Sequence, residues 1–518
     1  MHEQHRGTEF ITHFDYASET FKHHNAANGR LPLFARMPLA RSKAGSAWPS
    51  LAALILLAGC ALQPPAPSVP LTTPARWEAP LPTAAAQPAG SRQLRDWWRQ
   101  LGDPALVALI DAAQAASPTI ATARSRFLQA QATRTSAQAA LGPTLDASTQ
   151  SSRGFSQIAG GVATQHQAGL QTSWEIDLFG ANRTTRDAAD ARLQGAQAQW
   201  HDARTSVAAE VANEVNSVRS CRRDLAIQEA DAASRAETAR LTGLAMRAGF
   251  QSSANAALAR ASSAEASARV TQQRAQCDIG IKTLVALTAL EEAQVRARLE
   301  TPPAAPPPDA LFAIDTLPAA ILAQRPDVFD ADRNVAAASA EVGSAQAKRY
   351  PRLTLGGQIG VASFRTRGME TDVTAWTIGP LQVNLPLFDG GRRVADIDAA
   401  RARYDEAVAQ YRATARQAVS EVEQALVNLH GTAARTADAQ AAVAGYQASF
   451  NAIEQSYRSG LASLLELEES RRTLLAARTT RSALERERLA AWIALYRAAG
   501  GGWTQGEPAP AEPRASAS

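Results

Sequence analysis

Leu387-Phe388-Asp389-Gly390-Gly391-Arg392-Arg393 opens the stretch that decides the fold, and Gly460 closes it. Between them apolar residues recur at Ile397, Tyr404, Val408, Tyr411, Val419, Val422, Leu426 and Leu429, mostly in steps of three, four or seven. The stripe continues through Val443, Tyr446, Phe450, Ile453 and Tyr457 with no proline to interrupt it. That spacing belongs to an amphipathic helix, and glycine tolerates the left-handed turn that ends one. A helix of about 65 residues at ~1.5 Å each is roughly 100 Å long, more than an ordinary globular core requires.

The plan occurs twice. Leu178-Phe179-Gly180 precedes a stripe at Leu193, Trp200, Val207, Val211, Val215, Val218 and Leu225 that ends at Arg247-Ala248-Gly249. Landmarks repeat at nearly constant offset: 208 from Pro118 to Pro326 and from Pro143 to Pro351, 209 from Phe179 to Phe388, and 211 from Gly249 to Gly460. This is an internal repeat of about 210 residues. After each tip glycine the chain returns as helix, through Leu258 to Leu290 and through Leu461 to Tyr496, with alanine at many stripe positions. Long antiparallel helices paired in this way form coiled-coil hairpins.

Past Pro143 the period changes to two. Leu170, Thr172, Trp174, Ile176 and Leu178 alternate with Gln171, Ser173, Glu175 and Asp177, the pattern of a strand with different surroundings on its two faces. Leu145, Ala147 and Thr149 suggest its partner, across a loop with Gly160 and Gly161. The second copy has Leu353, Leu355, Gly357, Ile359 and Val361, then Leu381, Val383, Leu385 and Leu387. Trp376 and Ile378 have the other parity, which places a bulge at Gly379-Pro380. A soluble sandwich would explain any one strand. Beside an export signal, lipid on one face is the better account. Four strands cannot close a barrel in lipid, so more than one chain must contribute.

The start of the chain supplies that signal. Arg41 and Lys43 precede Leu51-Ala52-Ala53-Leu54-Ile55-Leu56-Leu57, too short to span a membrane comfortably. Leu57-Ala58-Gly59-Cys60 then resembles a bacterial lipobox, with Cys60 as the acylated first residue. Ala61 in place of aspartate favours the outer membrane. A plain signal peptide is the alternative, and position and flanks favour the lipobox. Residues 1–36 look unlike a signal, and Met37 is the better start.

Composition excludes other classes. The net charge of +4 gives no basic nucleic-acid surface. Five of the eight histidines fall within the first 24 residues, and His166, His201 and His430 are far apart, so no metal or cofactor is expected. No nucleophile and base pair or phosphate loop stands out, so the chain does not read as an enzyme.

Cys221 and Cys277 each lie 28 residues from Gly249, facing each other if Gly249 is a hairpin tip. A disulfide fits that symmetry in an oxidising compartment; two small buried thiols are the alternative. Near the second tip, Glu466 and Glu469 are one turn apart. Repeated around an axis they would make acidic rings that favour cations, or they are an ordinary solvated face.

The boundaries follow. Residues 1–59 are a signal segment, 60–95 an extended tether, 301–312 a Pro-rich linker and 504–518 a disordered tail. The first repeat, 96–300, has strands near 144–152 and 168–178; the second, 313–503, has strands near 351–361 and 376–388.

The chain also resembles the TolC-like outer-membrane factors, in the lipoprotein branch that includes OprM and NodT. The resemblance rests on Asp96-Trp97-Trp98, Gly102-Asp103-Pro104, Trp174-Glu175-Ile176-Asp177-Leu178-Phe179-Gly180, Arg325-Pro326-Asp327-Val328, Tyr350-Pro351, Pro386-Leu387-Phe388-Asp389-Gly390-Gly391 and Leu495-Tyr496 with Gly501-Gly502-Trp503. It implies a mainly α protein with a four-strand share of a homotrimeric transmembrane β-barrel, continued by an α-helical barrel across the periplasm. It further implies passive efflux in partnership with a periplasmic adaptor and an inner-membrane pump, commonly of the resistance-nodulation-division class. Tyr457 and Gly460 match the family's tip residues, Glu466 and Glu469 its acidic gate; Ala462 stands where TolC has an arginine. A pore-less lipoprotein scaffold and a duct for type I protein secretion are the competing functions.

Overall fold

The computed structural model of the protein describes residues 62–71, 73–81, 97–157, 160–301, 318–366 and 368–506. The signal segment, Cys60, most of the Pro-rich linker and the end of the tail lie outside the described residues. After α1 (Trp97–Gln100), the first half runs α2 (Pro104–Ala116), α3 (Pro118–Ala139), β1 (Thr144–Ser156), β2 (Gly161–Ile176), α4 (Ala181–Arg247) and α5 (Ser253–Thr288). A short α6 (Glu292–Glu300) follows. The second half runs α7 (Pro318–Ala323), α8 (Pro326–Ala347), β3 (Arg352–Thr366), β4 (Met369–Asn384), α9 (Arg392–Arg458) and α10 (Leu464–Ala498). Helices α3 and α8 each have 22 residues, α4 and α9 each 67, and α5 and α10 have 36 and 35. Matching lengths in matching order are what a duplicated unit leaves behind.

Both long helices end in the same way. Gly249 and Gly460 take φ of 80° and 75°, a region costly to residues with a Cβ. The next N–H groups, of Phe250 and Leu461, donate back to the carbonyls of Ala245 and Ser456, each at 2.8 Å. The Ser252 and Ser463 hydroxyls then cap α5 and α10, accepting from the backbone of Asn255 (3.1 Å) and Glu466 (3.2 Å). The result is two antiparallel hairpins, α4–α5 and α9–α10, with α10 also packed on α4.

The main core lies where these hairpins meet α1 and α2. Val211, Val215, Val218, Ile281, Leu284, Leu426, Ile493 and Leu495 are fully buried there with Trp97 and Leu109. Trp97 and Trp98 both lie against the Tyr496 ring at 4.8 Å, and the Tyr496 hydroxyl donates to the Gly501 carbonyl at 3.2 Å. Burial pushes that phenol up to about 12. Asp103 caps α2 and forms an ion pair with Arg219 of α4. Arg325 donates to the Ala498 carbonyl (3.0 Å) and to Glu421 (2.8 Å), tying the start of α8 to α10 and α9. Trp97, Trp98, Asp103 and Arg325, each from one of the quoted motifs, therefore hold the helical body together.

Two expectations need correction. The strands extend beyond the predicted spans at their turn ends, while β4 stops at Asn384 and leaves Leu385–Phe388 as a connection. The segment read as an extended tether is docked along the helices in residues 62–71 and 73–81. Ser339 donates to the Pro65 carbonyl (2.6 Å), Tyr404 to the Ala66 carbonyl (3.0 Å), and Trp77 is buried. The Glu423 carboxylate accepts the N–H groups of Glu78 (2.7 Å) and Ala79 (2.8 Å). Proline keeps this segment extended, and Val69, Leu71 and Trp77 give it apolar anchors that composition alone hides. Glu423→Ala is expected to accelerate hydrogen exchange at residues 78 and 79 by about tenfold, the equivalent of ~1.4 kcal/mol. Unchanged exchange would show that the carboxylate does not hold the segment.

Candidate functional site

The four strands form one antiparallel sheet in the order β1-β2-β3-β4. Its two faces differ chemically, most clearly at two neighbouring rungs. Ala147, Leu170, Ile359 and Trp376 are paired across all four strands and share one face. The next rung, on the other face, is Asp146, Gln171, Gln358 and Thr377. A register shift lets three steps from Ile378 to Leu381 match two from Gly357 to Leu355, which brings Trp376, Ile378, Leu381 and Val383 to the same face despite their parity. The apolar band from Leu353 to Val361 covers roughly 26 Å of strand, of the order of the ~25 Å apolar height of outer-membrane barrels. Leu145, Ile359, Trp376 and Ile378 are exposed on it, so nothing among the described residues covers it. Both sheet edges, on β1 and β4, are unpaired among the described residues. Among those residues no single helix is long and apolar enough to cross a membrane.

At the hairpin tips the structure brings the two repeats together. The Tyr457 hydroxyl lies 3.1 Å from Thr242 Oγ1 on α4. Leu464 and Leu467 are buried beside Ala259, with Phe450, Ile453 and Tyr457 packed around them. Glu466 and Glu469 face away from this cluster and are exposed. Each has a local partner: Glu466 accepts from the Ser463 N–H (2.6 Å) and hydroxyl (2.8 Å), and Glu469 pairs with Arg472 at 2.7 Å. Those bonds hold both carboxyls below the usual carboxylate range. The Glu466 cap is therefore fully formed above the ordinary carboxylate pKa of ~4.3 and is lost as pH falls through its depressed folded value.

The buried charge at the tip lies one residue away from these candidates. Glu468 Oε2 accepts from Ser262 of α5 (2.6 Å) and pairs with Arg235 of α4, while its Oε1 accepts from Arg471 at 2.9 Å. Arg235 also pairs with Asp231 (2.9 Å), and Arg471 reaches the hydroxyls of Thr238 (2.7 Å) and Ser234 (3.0 Å). Two cations and two anions thus balance inside a helix packing seam. Sequence reading missed this network, although Glu468 and Arg471 fall on the same stripe as Leu464, Leu467 and Leu474. Glu468→Ala leaves the buried Arg471 guanidinium without a carboxylate and Arg235 with Asp231 alone, and is expected to destabilise the folded channel by about 3–5 kcal/mol. Glu469→Ala, on the exposed side, is expected to leave stability nearly unchanged. Equal thermal unfolding temperatures for the two variants would contradict the assignment.

The other predicted residues fall as follows. Gly249 and Gly460 are the hairpin turns, and the exposed side chains following them are Phe250 and Leu461. Cys221 and Cys277 are joined in a disulfide across the first hairpin, their Cα atoms 5.5 Å apart. Non-reducing mass spectrometry is expected to recover the two cysteines as one linked peptide pair; two free thiols would remove the bond. His166, His201 and His430 lie on three different elements, and no group that could hold a metal occurs among the described residues. Cys60 lies outside them, but Gln63 is held near the end of α8, where its N–H donates to Gln346 at 3.1 Å.

A sheet with one lipid-compatible face and open edges, carried on hairpins of this length, defines the subunit of a membrane channel. The family model described as outer membrane efflux protein matches residues 109–290 and 317–501, one match per repeat, and the chain belongs to that family. Its place is accordingly the outer membrane. The pyoverdine export outer membrane protein OpmQ of Pseudomonas aeruginosa is 29% identical over 472 residues, 88% of this chain and 96% of its own. Nodulation protein T of Rhizobium leguminosarum bv. trifolii is 27% identical, covering 85% of this chain and 93% of its own. The solved structure of the outer-membrane channel OprN superposes with a TM-score of 0.73 at 25% identity, covering 84% of this chain and 99% of that one.

Proposed function

We propose that the chain is the outer-membrane channel of a tripartite efflux system, acting as a homotrimer that passively conducts small molecules out of the cell. The observation that carries this reading is the two-faced sheet with both edges open. Three copies contribute twelve strands, the apolar rungs meet lipid, and the polar rungs of glutamine and threonine line water. The long hairpins continue the duct toward an inner-membrane pump of the resistance-nodulation-division class. Phe250 and Leu461, exposed at 83% and 84% beside the two tip glycines, are the surface offered to a periplasmic adaptor. Cys60 carries the lipid anchor: docking of Gln63 at Gln346, where α8 approaches the sheet, supports a membrane-level start for the mature chain. The pyoverdine exported by OpmQ favours small solutes over secreted polypeptides as cargo. The chain itself has no catalytic role, and the pump supplies the energy.

The gate is the tip, where Tyr457 holds the second hairpin to Thr242 of the first and Glu466 and Glu469 present carboxylates to the opening. Planar-bilayer recording on the purified protein tests the reading. Tyr457→Phe is expected to raise single-channel conductance severalfold, and Glu466→Lys with Glu469→Lys to weaken or reverse cation preference. Charge reversal that leaves ion preference unchanged would reject the gate carboxylates. A protein that never conducts, in either tip variant, would favour the pore-less scaffold.

A further inference from the structure

The end of the sheet where strands give way to helices is ringed by positive charge. We propose that this collar binds the anionic headgroups of glycerophospholipids in the periplasm-facing leaflet of the outer membrane. The inference rests on the outer-membrane placement and adds a lipid class to it.

Three strand–helix junctions lie at one level. Phe179 stacks on Tyr350 at 4.9 Å, Ser344 donates to the Ala181 carbonyl at 3.2 Å, and Arg393 Nε donates to the Lys348 carbonyl at 3.0 Å. Residues 177–187, 345–351 and 385–393 together hold six Lys or Arg and three Asp, a net +3 per chain. The three aspartates are already engaged. Asp177 accepts the N–H groups of Asn182 (3.2 Å) and Arg183 (2.7 Å), Asp187 pairs with Arg186 (2.5 Å), and Asp389 pairs with Arg393 (2.7 Å). Lys348, Arg349 and Arg392 are exposed and form no ion pair among the described residues.

Beside these cations the chain exposes Leu387 at 88% and Phe388 at 93%, continuous with the apolar band of the sheet. Hydrocarbon contact followed by cation is the order in which a bilayer presents acyl chain and then phosphate. The opposite end of the same face differs. There the rung beyond the apolar band is Ser151, His166, Ser363 and Asp372, Arg365 is paired with Glu370 at 2.6 Å, and residues 151–166 and 363–372 together hold three Arg, one Glu and one Asp, a net +1 against the collar's +3. The asymmetry selects one leaflet. The Gln63–Gln346 contact brings the start of the described chain to the same level.

Brominated-lipid quenching of the full-length channel, reconstituted in bilayers, tests the proposal. Trp174 sits on the apolar face near the collar and, with Trp376→Phe made in every protein compared, reports lipid bound there. Dibrominated phosphatidylglycerol is expected to bind at least about threefold better than dibrominated phosphatidylcholine at low ionic strength. The preference is expected to fall to about 1 in K348Q/R349Q/R392Q and in high salt. A ratio of about 1 for the unaltered protein, or a preference that survives in the triple variant, overturns the proposal. If the triple variant does not insert, R349Q alone and the salt titration of the unaltered protein give the same readout. A channel that inserts and conducts without lipid preference sinks the collar alone, whereas one that never enters a bilayer sinks the channel reading with it.

Discussion

Backbone polar groups in hydrocarbon must find partners, because no water is there to supply them. A sheet of four strands satisfies its inner ladders and leaves the outer edges of β1 and β4 open. Placed in lipid alone, this chain would leave a row of N–H and C=O groups without partners on each side. The rest of the molecule answers that constraint. The alternating rungs commit one face to lipid, so the sheet cannot bury itself against its own helices, and closure has to come from further copies.

The helical body makes repeated closure feasible. Both hairpins are anchored to one core by Trp97, Tyr496, the Asp103–Arg219 pair and Arg325, so the sheet is presented from a fixed base. Near the tips, the neutral quartet of Asp231, Arg235, Glu468 and Arg471 does for the far end what the aromatic core does for the near end. It holds the two repeats side by side through charges that are costly to separate. The carboxylates Glu466 and Glu469 stay exposed, bonded only to Ser463 and Arg472, and take no part in that seam.

Much of this was legible in the sequence because periodicity is local. A helical stripe, a switch to period two and a glycine at each turn identify hairpins and strands without knowledge of their neighbours, and the repeat checks each reading against a second copy. The bulge at Gly379-Pro380 was readable from the parity of Trp376 and Ile378 for the same reason. What escaped depends on distant partners. Glu468 meets Arg235 across 233 residues, and nothing near Glu468 distinguishes it from the solvated Glu466 and Glu469 except its place on the apolar stripe. The N-terminal segment reads as a tether because proline and alanine dominate it; Trp77 is the one large clue that it is docked. Strand ends are hard to read because polar residues past the apolar band, such as His166 and Asp372, continue the ladder without continuing the pattern.

The mass of the detergent-extracted particle tests the central claim most directly. Native mass spectrometry is predicted to find three copies of this chain, the number whose strands close a barrel of twelve. A stable single chain, with its sheet edges open and its apolar face bare, would contradict the account.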